Sequence, residues 1–450
     1  MTDSLQTIWL ALGFRPVFLW SDILIYVLLT SGGVWLSFAL RHAYWQVALR
    51  QIMAKRMAMF SFGLLCLYGL VGFLDTLHYR AVSGGNPYGS SIHSMLDFVC
   101  RPLITATEKT YSAPFATHQF TKETVQTAEG QTRVYPRLQH AGSHLLVSAD
   151  SVQKSGPDIR NRLLSGLAWG LLIGLLIFLG VWRLFRGIWT GVFCVLVAIV
   201  VSELLALSPS YHIFGTDKTG QDVLYIALKS VRTGLIIGTL TTLIVTPFAL
   251  LCGVLAGYLG GWVDDVIQYI YTTLSSIPDI LLIAAAMLIF QVGLSDQETI
   301  VSADHRLVYL CVILGITSWT GLCRLIRAEV LKLRAIEFVQ AADAFGIGQM
   351  TIMLRHLVPN VMHIVLISIV LRFSSLVLAE AVLAYVGIGV DPSMQSWGNM
   401  INQARLELAR EPVVWWNLLA ALIFMLGLVL PANLFGDAVR DALDPRLRTE

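Results

Sequence analysis

The sequence predicts an all-α polytopic membrane protein with about nine transmembrane helices, and three observations carry that prediction. Of its 450 residues, 56% are hydrophobic and only 13% charged, against roughly a quarter charged in soluble domains; mean hydropathy is +0.69. Nine apolar runs stand along the chain, each near the roughly 20 residues that a helix needs to cross a bilayer. The runs are continuous rather than alternating, which excludes a closed barrel of membrane strands.

In order, the runs cover residues 23–40, 57–74, 164–182, 188–207, 233–259, 273–294, 307–323, 361–389 and 413–435. Basic residues in the short connections set the orientation. Arg41, Arg50, Lys55 and Arg56 separate the first two runs, and Arg183 and Arg186 separate the third and fourth. Arg324, Arg327, Lys332, Arg334 and Arg355 follow the seventh, while Arg440, Arg446 and Arg448 close the chain. Alternate threading places all four groups on one side, the cytoplasm, with the N-terminus outside and the C-terminus inside. Asp264 and Asp265 disagree, lying in an expected cytoplasmic turn without Lys or Arg; acidic residues weigh little in the rule.

Other global features are mostly negative. A net charge of +2 gives no polyanion signature and argues against nucleic acid as a partner. Met1–Gln6 lacks a basic segment and no small-residue cleavage site follows the first run, so no removable signal peptide is expected. Five of the six cysteines lie in or beside apolar runs and only Cys100 is in a polar region, which forms neither a disulfide framework nor a C-x-x-C metal pair.

Four segments emerge: two N-terminal spans over 1–75, a polar extracytoplasmic insert over 76–162, an added helix pair over 163–207, and the membrane domain over 208–450. Tyr88, Phe98, Tyr111, Phe115, Phe120 and Tyr135 suit the insert to a small folded module, with open loop as the alternative. His78, His93, His118, His140 and His144 are half of the ten histidines. Their spacings match no metal-ligand motif, and solvated surface histidines are the preferred reading.

Residues 324–360 form a charged segment between two apolar runs. Leu333, Ile336, Ala341, Ala342 and Ala344 favour helix, Gly346 and Gly348 break it, and a second run, 350–357, is expected to stop at Pro359. Two short helices joined at an angle by glycine can enter a groove on another protein and transmit force; the plain alternative is a cytoplasmic linker.

Gln340-Ala341-Ala342, then Gly346, then His356-Leu357-Val358-Pro359 resembles the E-A-A, three residues, G, nine residues, I-x-L-P signature of ABC importer permeases. Gln340 stands where Glu is usual and Val358 where Leu is usual, while His356 in the Ile place is similar to the peptide-transporter branch. Glu337 supplies a carboxylate one turn earlier. His212-Ile213-Phe214-Gly215-Thr216-Asp217-Lys218-Thr219-Gly220-Gln221-Asp222-Val223-Leu224 resembles a stretch of dipeptide and oligopeptide permeases, with Gln221 for the usual Arg. Residues 378–390, the Ser396-Trp397-Gly398-Asn399-Met400 element and the 440–448 tail are similar to further elements of the family. The likeness runs over about 208–448, with 55–75 resembling the family's first span, whereas the first apolar run and 76–207 are extra. Gly215 and Gly220 have phosphate-loop spacing, but Gln221-Asp222 follows where Lys-Ser/Thr is required, so ATP hydrolysis by this chain is not expected.

The resemblance implies an inner-membrane permease of the second, C-type kind. It would pair with a homologous permease and couple through Glu337, Gln340, Ala341, Ala342, Gly346, His356 and Pro359 to two separate ATPase subunits. Those subunits would use ATP and Mg, an extracytoplasmic binding protein would deliver peptide, and this chain would hold no cofactor or metal and catalyse nothing. Nickel or another small solute on the same scaffold stays an alternative.

Arg372 and Glu380 fall within the eighth run, eight residues apart and so roughly 80° around a helix. Charges at this depth cost several kcal/mol unless paired or facing water. Arg372 either lines the pathway and meets a peptide carboxylate or makes a structural contact to Glu380, another helix or a partner subunit; the structural reading is preferred. Trp397 is open between a substrate entry and an interfacial packing anchor. A self-contained secondary transporter would need matched broken helices, which Pro247 and Pro278 do not provide. A membrane enzyme would need motifs that the chain lacks.

Overall fold

The computed structural model describes residues 14–41, 43–81, 92–127, 130–145, 151–185, 188–293 and 299–443. Met1–Gln6, Tyr88, Arg186 and the tail from 444 onward, with Arg446 and Arg448, lie outside the described residues.

The elements follow in chain order. Strand β1 (Phe14–Val17) precedes helices α1 (Trp20–Ala39), α2 (Ala43–Ala54) and α3 (Arg56–Thr76). The insert carries β2 (His78–Ala81), β3 (Ile92–Ser94), α4 (Met95–Val99), α5 (Arg101–Thr105), β4 (Glu123–Thr127) and β5 (Gly130–Val134). Then come α6 (Ser151–Phe185), α7 (Ile188–Leu207), α8 (Val223–Leu259), α9 (Gly261–Ser275), α10 (Asp279–Gly293) and α11 (Thr299–Arg334). After α12 (Glu337–Ala344) and α13 (Gln349–Thr351) the chain makes a π-helical segment, Ile352–Leu357, and continues as α14 (Val358–Tyr385), α15 (Trp397–Glu407) and α16 (Trp416–Leu443).

Among the described residues, each of the nine apolar runs is mainly helical. Seven helices are long and apolar enough to cross a membrane among the described residues, and α1 holds a shorter apolar stretch, Trp20–Val34. The run at 273–294 is not one straight crossing. Ser276 to Pro278 separates α9 from α10, and the two meet at 87°. Pro278 has no N–H to give a continuing helix, so α9 ends there and α10 starts afresh with Asp279 in its first turn, where the helix dipole favours a carboxylate.

The chain divides into two compact units. One holds residues 14–18, 59–233 and 395–428. Here the insert folds as a module, with an antiparallel sheet β1-β2-β3 and a separate β4-β5 hairpin. Ser94 caps α4 through a reciprocal pair with Asp97, and Asp75 Oδ1 accepts from Ser94 Oγ at 2.5 Å. Asp97 also accepts from Lys229 Nζ at 2.5 Å and Tyr225 Oη at 2.8 Å. Leu96, Cys100 and Leu103 pack with Leu224 beneath these bonds. The added pair α6 and α7 forms an antiparallel hairpin in which Ser202 Oγ donates to the Gly166 carbonyl at 2.8 Å. Phe193 of α7 stands edge-on to Phe60 of α3 at 5.2 Å.

The other unit holds 19–58, 234–394 and 429–443. Ser21 donates through its backbone N, at 3.2 Å, and its hydroxyl to the buried Asp304 carboxylate, which pins the start of α1 to α11. Leu24 and Ile25 then pack on Leu307, Leu310 and Leu314. Along α8, Gly253 and Gly257 face Ile326 and Val330 so closely that a Cβ would come within 2.8 and 2.7 Å, the close helix approach that small residues permit in membranes.

Among the described residues, Gly220 is the glycine with the closest approach. Its φ is +76°, and an added Cβ would lie 1.8 Å from the Glu108 carbonyl oxygen. The expected outcome of Gly220→Ala is a loss of at least about 2 kcal/mol, read as a lower thermal midpoint in detergent, with the exposed Lys218→Ala unchanged. Equal midpoints would contradict this packing.

Candidate functional site

The segment that follows α11 is an elbow, and its bend is made by backbone chemistry. Ile336 is extended (φ −81°, ψ 145°), and Glu337 sits in the first turn of α12, where its charge complements the helix dipole. At the other end Ile347 N donates to the Ala342 carbonyl at 3.1 Å and Gly346 N to the Asp343 carbonyl at 2.9 Å. With Gly346 at φ +73°, this is a Schellman motif, which satisfies carbonyls that a helix end would otherwise orphan. Gly348 then caps α13.

Two boundaries differ from the sequence expectation. The helix of the seventh run continues to Arg334, so 324–334 is an extension of a membrane helix and the true projection begins near Glu337. Pro359 does not stop the second helix; it lies at N1/N2 of α14. A first-turn residue has no intrahelical N–H partner to lose, and the wider π turn before it, Ile352–Leu357, lets the chain run on.

The elbow has two faces. Val339, Ala342, Ile352, Met353 and Leu357 are buried in one cluster with Ile326, Val330 and Val361. The opposite face carries exposed apolar side chains among the polar ones: Phe345 is 86% exposed, with Met350 and Leu354 beside it in sequence and also exposed. Glu337, Gln340, Ala341, Gly346 and Pro359 lie on the exposed side, while His356 is half-buried and 6.3 Å from the Phe338 ring. Gln340 Nε2 donates to the Ala335 carbonyl at 3.3 Å. At the base, Arg327 forms a two-pronged ion pair with Asp264, both contacts at 2.6 Å. Arg324 lies 5.1 Å over the Tyr271 ring and donates to Ser275 Oγ at 2.8 Å. The acidic turn that disagreed with the charge rule thus holds its counter-charge on α11.

The other candidate residues lie apart from the elbow. Arg372 is half-buried in α14 and its Nη1 donates to the Ser318 carbonyl of α11 at 2.6 Å, a contact to another helix. Glu380 is 3% exposed. Trp397 is 1% exposed and its Nε1 donates to the Ala227 carbonyl at 3.0 Å, so its indole is an interior anchor. Arg372→Met is expected to remove the Ser318 contact; normal assembly with normal uptake of every substrate would remove Arg372 from the pathway.

The 212–224 motif folds against the insert, a juxtaposition the sequence did not announce. His212 Nδ1 is 2.6 Å from Asp222 Oδ2, and its Nε2 is 3.7 Å from Glu108 Oε1. The Glu108 carboxylate accepts backbone N–H bonds from Gln139, His140 and Ala141. Thr216 Oγ1 accepts from Ser112 N at 2.7 Å and donates to the Thr110 carbonyl at 2.9 Å. Trp416 Nε1 donates to the Thr216 carbonyl at 2.9 Å. Gly215 and Gly220 face the Ser112 and Glu108 backbones, where an added Cβ would lie 2.3 and 1.8 Å from the two carbonyl oxygens. His144 and Tyr211 both bond Asp158. Among the described residues no three His, Cys, Asp or Glu side chains converge as a metal site.

These charges set a pH window. Burial opposes a charged His212, but Asp222 and Glu108 outweigh it and raise the imidazole to about 9. Burial likewise opposes a charged Glu108, and His212 with the three N–H donors overcomes it, lowering the carboxyl to about 2. A raised base stabilises fully below its ordinary value of 6.5 and loses that contribution as pH rises through about 9. A lowered acid stabilises above 4.5 and loses it as pH falls through about 2. The expected pH–stability profile therefore holds both contributions between 4.5 and 6.5 and declines on the alkaline side through about 9. Glu108→Ala leaves His212 paired with Asp222 alone and orphans the Gln139, His140 and Ala141 N–H donors, which costs at least about 1–3 kcal/mol and moves the alkaline step to lower pH. A wild-type midpoint for this variant would refute the staple.

The described residues thus form a multi-pass helical membrane protein with an ordered, partly apolar elbow. Residues 249–449 match the family described as binding-protein-dependent transport system inner membrane component, and the chain belongs to that family of ABC transport permeases. It is 31% identical over 237 residues to the dipeptide transport system permease protein DppC of Bacillus subtilis, covering 53% of this chain and 69% of that one. It is 33% identical over 248 residues to the oligopeptide transport system permease protein OppC of Mycobacterium tuberculosis, covering 55% and 80%. The glutathione transport system permease protein GsiD of Pectobacterium atrosepticum is 31% identical over 240 residues, covering 53% and 74%.

Proposed function

We propose that this chain is one of two permease subunits forming the pathway of an ATP-driven importer for short peptides. The cargo reading is supported by relatives whose names specify dipeptides, oligopeptides and glutathione. An extracytoplasmic binding protein delivers the cargo, and two separate ATPase subunits bind and hydrolyse ATP with Mg. This chain carries no cofactor and does no chemistry itself. The N-terminus lies outside and the C-terminus in the cytoplasm, so the 337–360 elbow meets the ATPases.

The observation that carries this reading is the elbow's exposed apolar knob on a buried footing. Phe345 is 86% exposed on a segment whose inner face belongs to the core around α11. Partner binding covers such a side chain, and the ordered footing passes the partner's movement to α11 and α14. The coupling is differential: ATP-bound and ATP-free ATPases bind two arrangements of the permease with different affinity, and that difference shifts the pathway between inward-open and outward-open.

Phe345→Asp is expected to leave the fold within about 0.5 kcal/mol but to strip the ATPase from the complex on co-purification and to lower ATP-driven uptake at least about tenfold, a loss of 1.4 kcal/mol or more in docking. Gly346→Pro, whose fixed negative φ cannot adopt the native +73°, is expected to do the same by removing the bend. Retention of the ATPase and full uptake by Phe345→Asp would overturn the docking assignment. Robust transport by this chain alone in liposomes would overturn the importer reading.

A further inference from the structure

The unit that contains the insert also holds a small cavity of about 210 Å³, below the 300–1,000 Å³ usual for drug-sized ligands and suited to something of amino-acid or dipeptide size. Tyr111 and Phe120 of the insert form one wall, and Arg410, Glu411, Pro412 and Val414, between α15 and α16, form the other.

These walls are fixed in advance. Tyr111 is 2% exposed, and its hydroxyl donates to Glu407 Oε1 at 3.1 Å. Asn417 Nδ2 donates to both Glu407 oxygens, at 3.1 and 2.9 Å, so that carboxylate is engaged behind the wall. Phe120 stands edge-on to the buried Trp416 at 4.8 Å. The turn bearing the charges is held by its backbone, with Arg410 N and Val414 N both donating to the Glu407 carbonyl. Ordering costs that a mobile loop would impose on a ligand are already met.

The charges are placed differently from the walls. Arg410 lies over the Tyr111 ring, 5.1 Å from its centroid, and among the described residues no carboxylate reaches its guanidinium within ion-pair distance. A guanidinium held over a ring face still has N–H donors to give, and its planar fork matches a carboxylate with two parallel bonds. Glu411 follows directly on the same rim, solvent-exposed. One cation and one anion beside a floor of Phe120, Pro412 and Val414 complement a ligand carrying both charges on an apolar body. A simple anion would meet Glu411, and a simple cation would meet Arg410.

We propose that this cavity binds a zwitterionic, apolar amino acid or dipeptide, with the ligand carboxylate on Arg410, its ammonium on Glu411 and its side chain against Phe120 and Val414. The site deepens the peptide-permease reading and rests on it, because it supplies a cargo-recognition element on the permease subunit. Half of that element comes from an insert extra to the family's common pattern.

The test uses the full chain in lipid nanodiscs without partner subunits, titrated by calorimetry with leucyl-leucine, its C-terminal amide and its N-acetyl derivative. The expected result is saturable binding of leucyl-leucine, at least about tenfold weaker for the amide and for Arg410→Met, the worth of one charge-assisted bond. N-acetylation is expected to weaken binding in the wild type and to cost nothing further in Glu411→Gln. Matching thermal midpoints of wild type and variants keep the comparison free of unfolding. Absence of saturable binding, equal binding of acid and amide, or wild-type affinity in Arg410→Met would overturn the proposal. Any of these leaves the importer reading standing, since ATPase co-purification tests that reading through the elbow alone.

Discussion

The burial of the elbow's inner face against α11 is the constraint on which the rest depends. A projection holds a fixed angle only if its footing has no slack, and slack is removed by close packing rather than by hydrogen bonds to water. Val339, Ile352, Met353 and Leu357 enter the same apolar cluster as Ile326 and Val330, and fully burying a side chain of this kind contributes roughly 1.5–3 kcal/mol. The Schellman turn at Gly346 lets a polar chain reverse direction without orphaned carbonyls. The Arg327–Asp264 pair fixes α9 to the rod just above; its planar two-pronged geometry resists rotation as a single contact would not.

Much of this was legible from residues, because membranes simplify the code. A run of about 20 apolar residues has few ways to satisfy its backbone other than as a helix, and eight of the nine runs lie mainly in one helix each, the run at 273–294 being divided between two. The bend at Gly346 was legible because glycine adopts a positive φ without steric cost. Pro359 misled because a proline that ends one helix and a proline that opens the next look alike in sequence; only the π turn before it distinguishes them. The break at Ser276–Pro278 was hidden by hydropathy, which counts apolar residues and not their direction.

Pairings between distant residues were not legible at all. Glu108 and His212 lie about a hundred positions apart, and nothing around Glu108 marks it as the acceptor of three backbone donors. Asp264 was visible only as an exception to a charge rule, with Arg327 as the reason it is tolerated. The insert's role within its own unit follows from such pairings. It covers the 212–224 loop with Glu108, Thr110 and Ser112, and the loop returns the bonds through Thr216, His212 and Gly220. Each side supplies what the other needs to bury its polar groups, so neither is a free-standing decoration.

The elbow signature becomes clearer once each position is assigned a physical task. Gly346 and Pro359 set backbone direction, Ala342 and Leu357 fill the interface with the rod, and Gln340 and Ala341 face outward. The outward pair neither fills the core nor sets the bend, so a departure there alters the exposed surface and not the fold of the elbow. Gln340 shows how. Its amide donates to the Ala335 carbonyl at the elbow's entry, a bond that an ionised Glu, having no donor, could not make. A Gln here therefore adds a bond within the elbow in place of a carboxylate, and the acidic charge of the first turn is carried by Glu337, three residues closer to the helix start where the dipole favours it most.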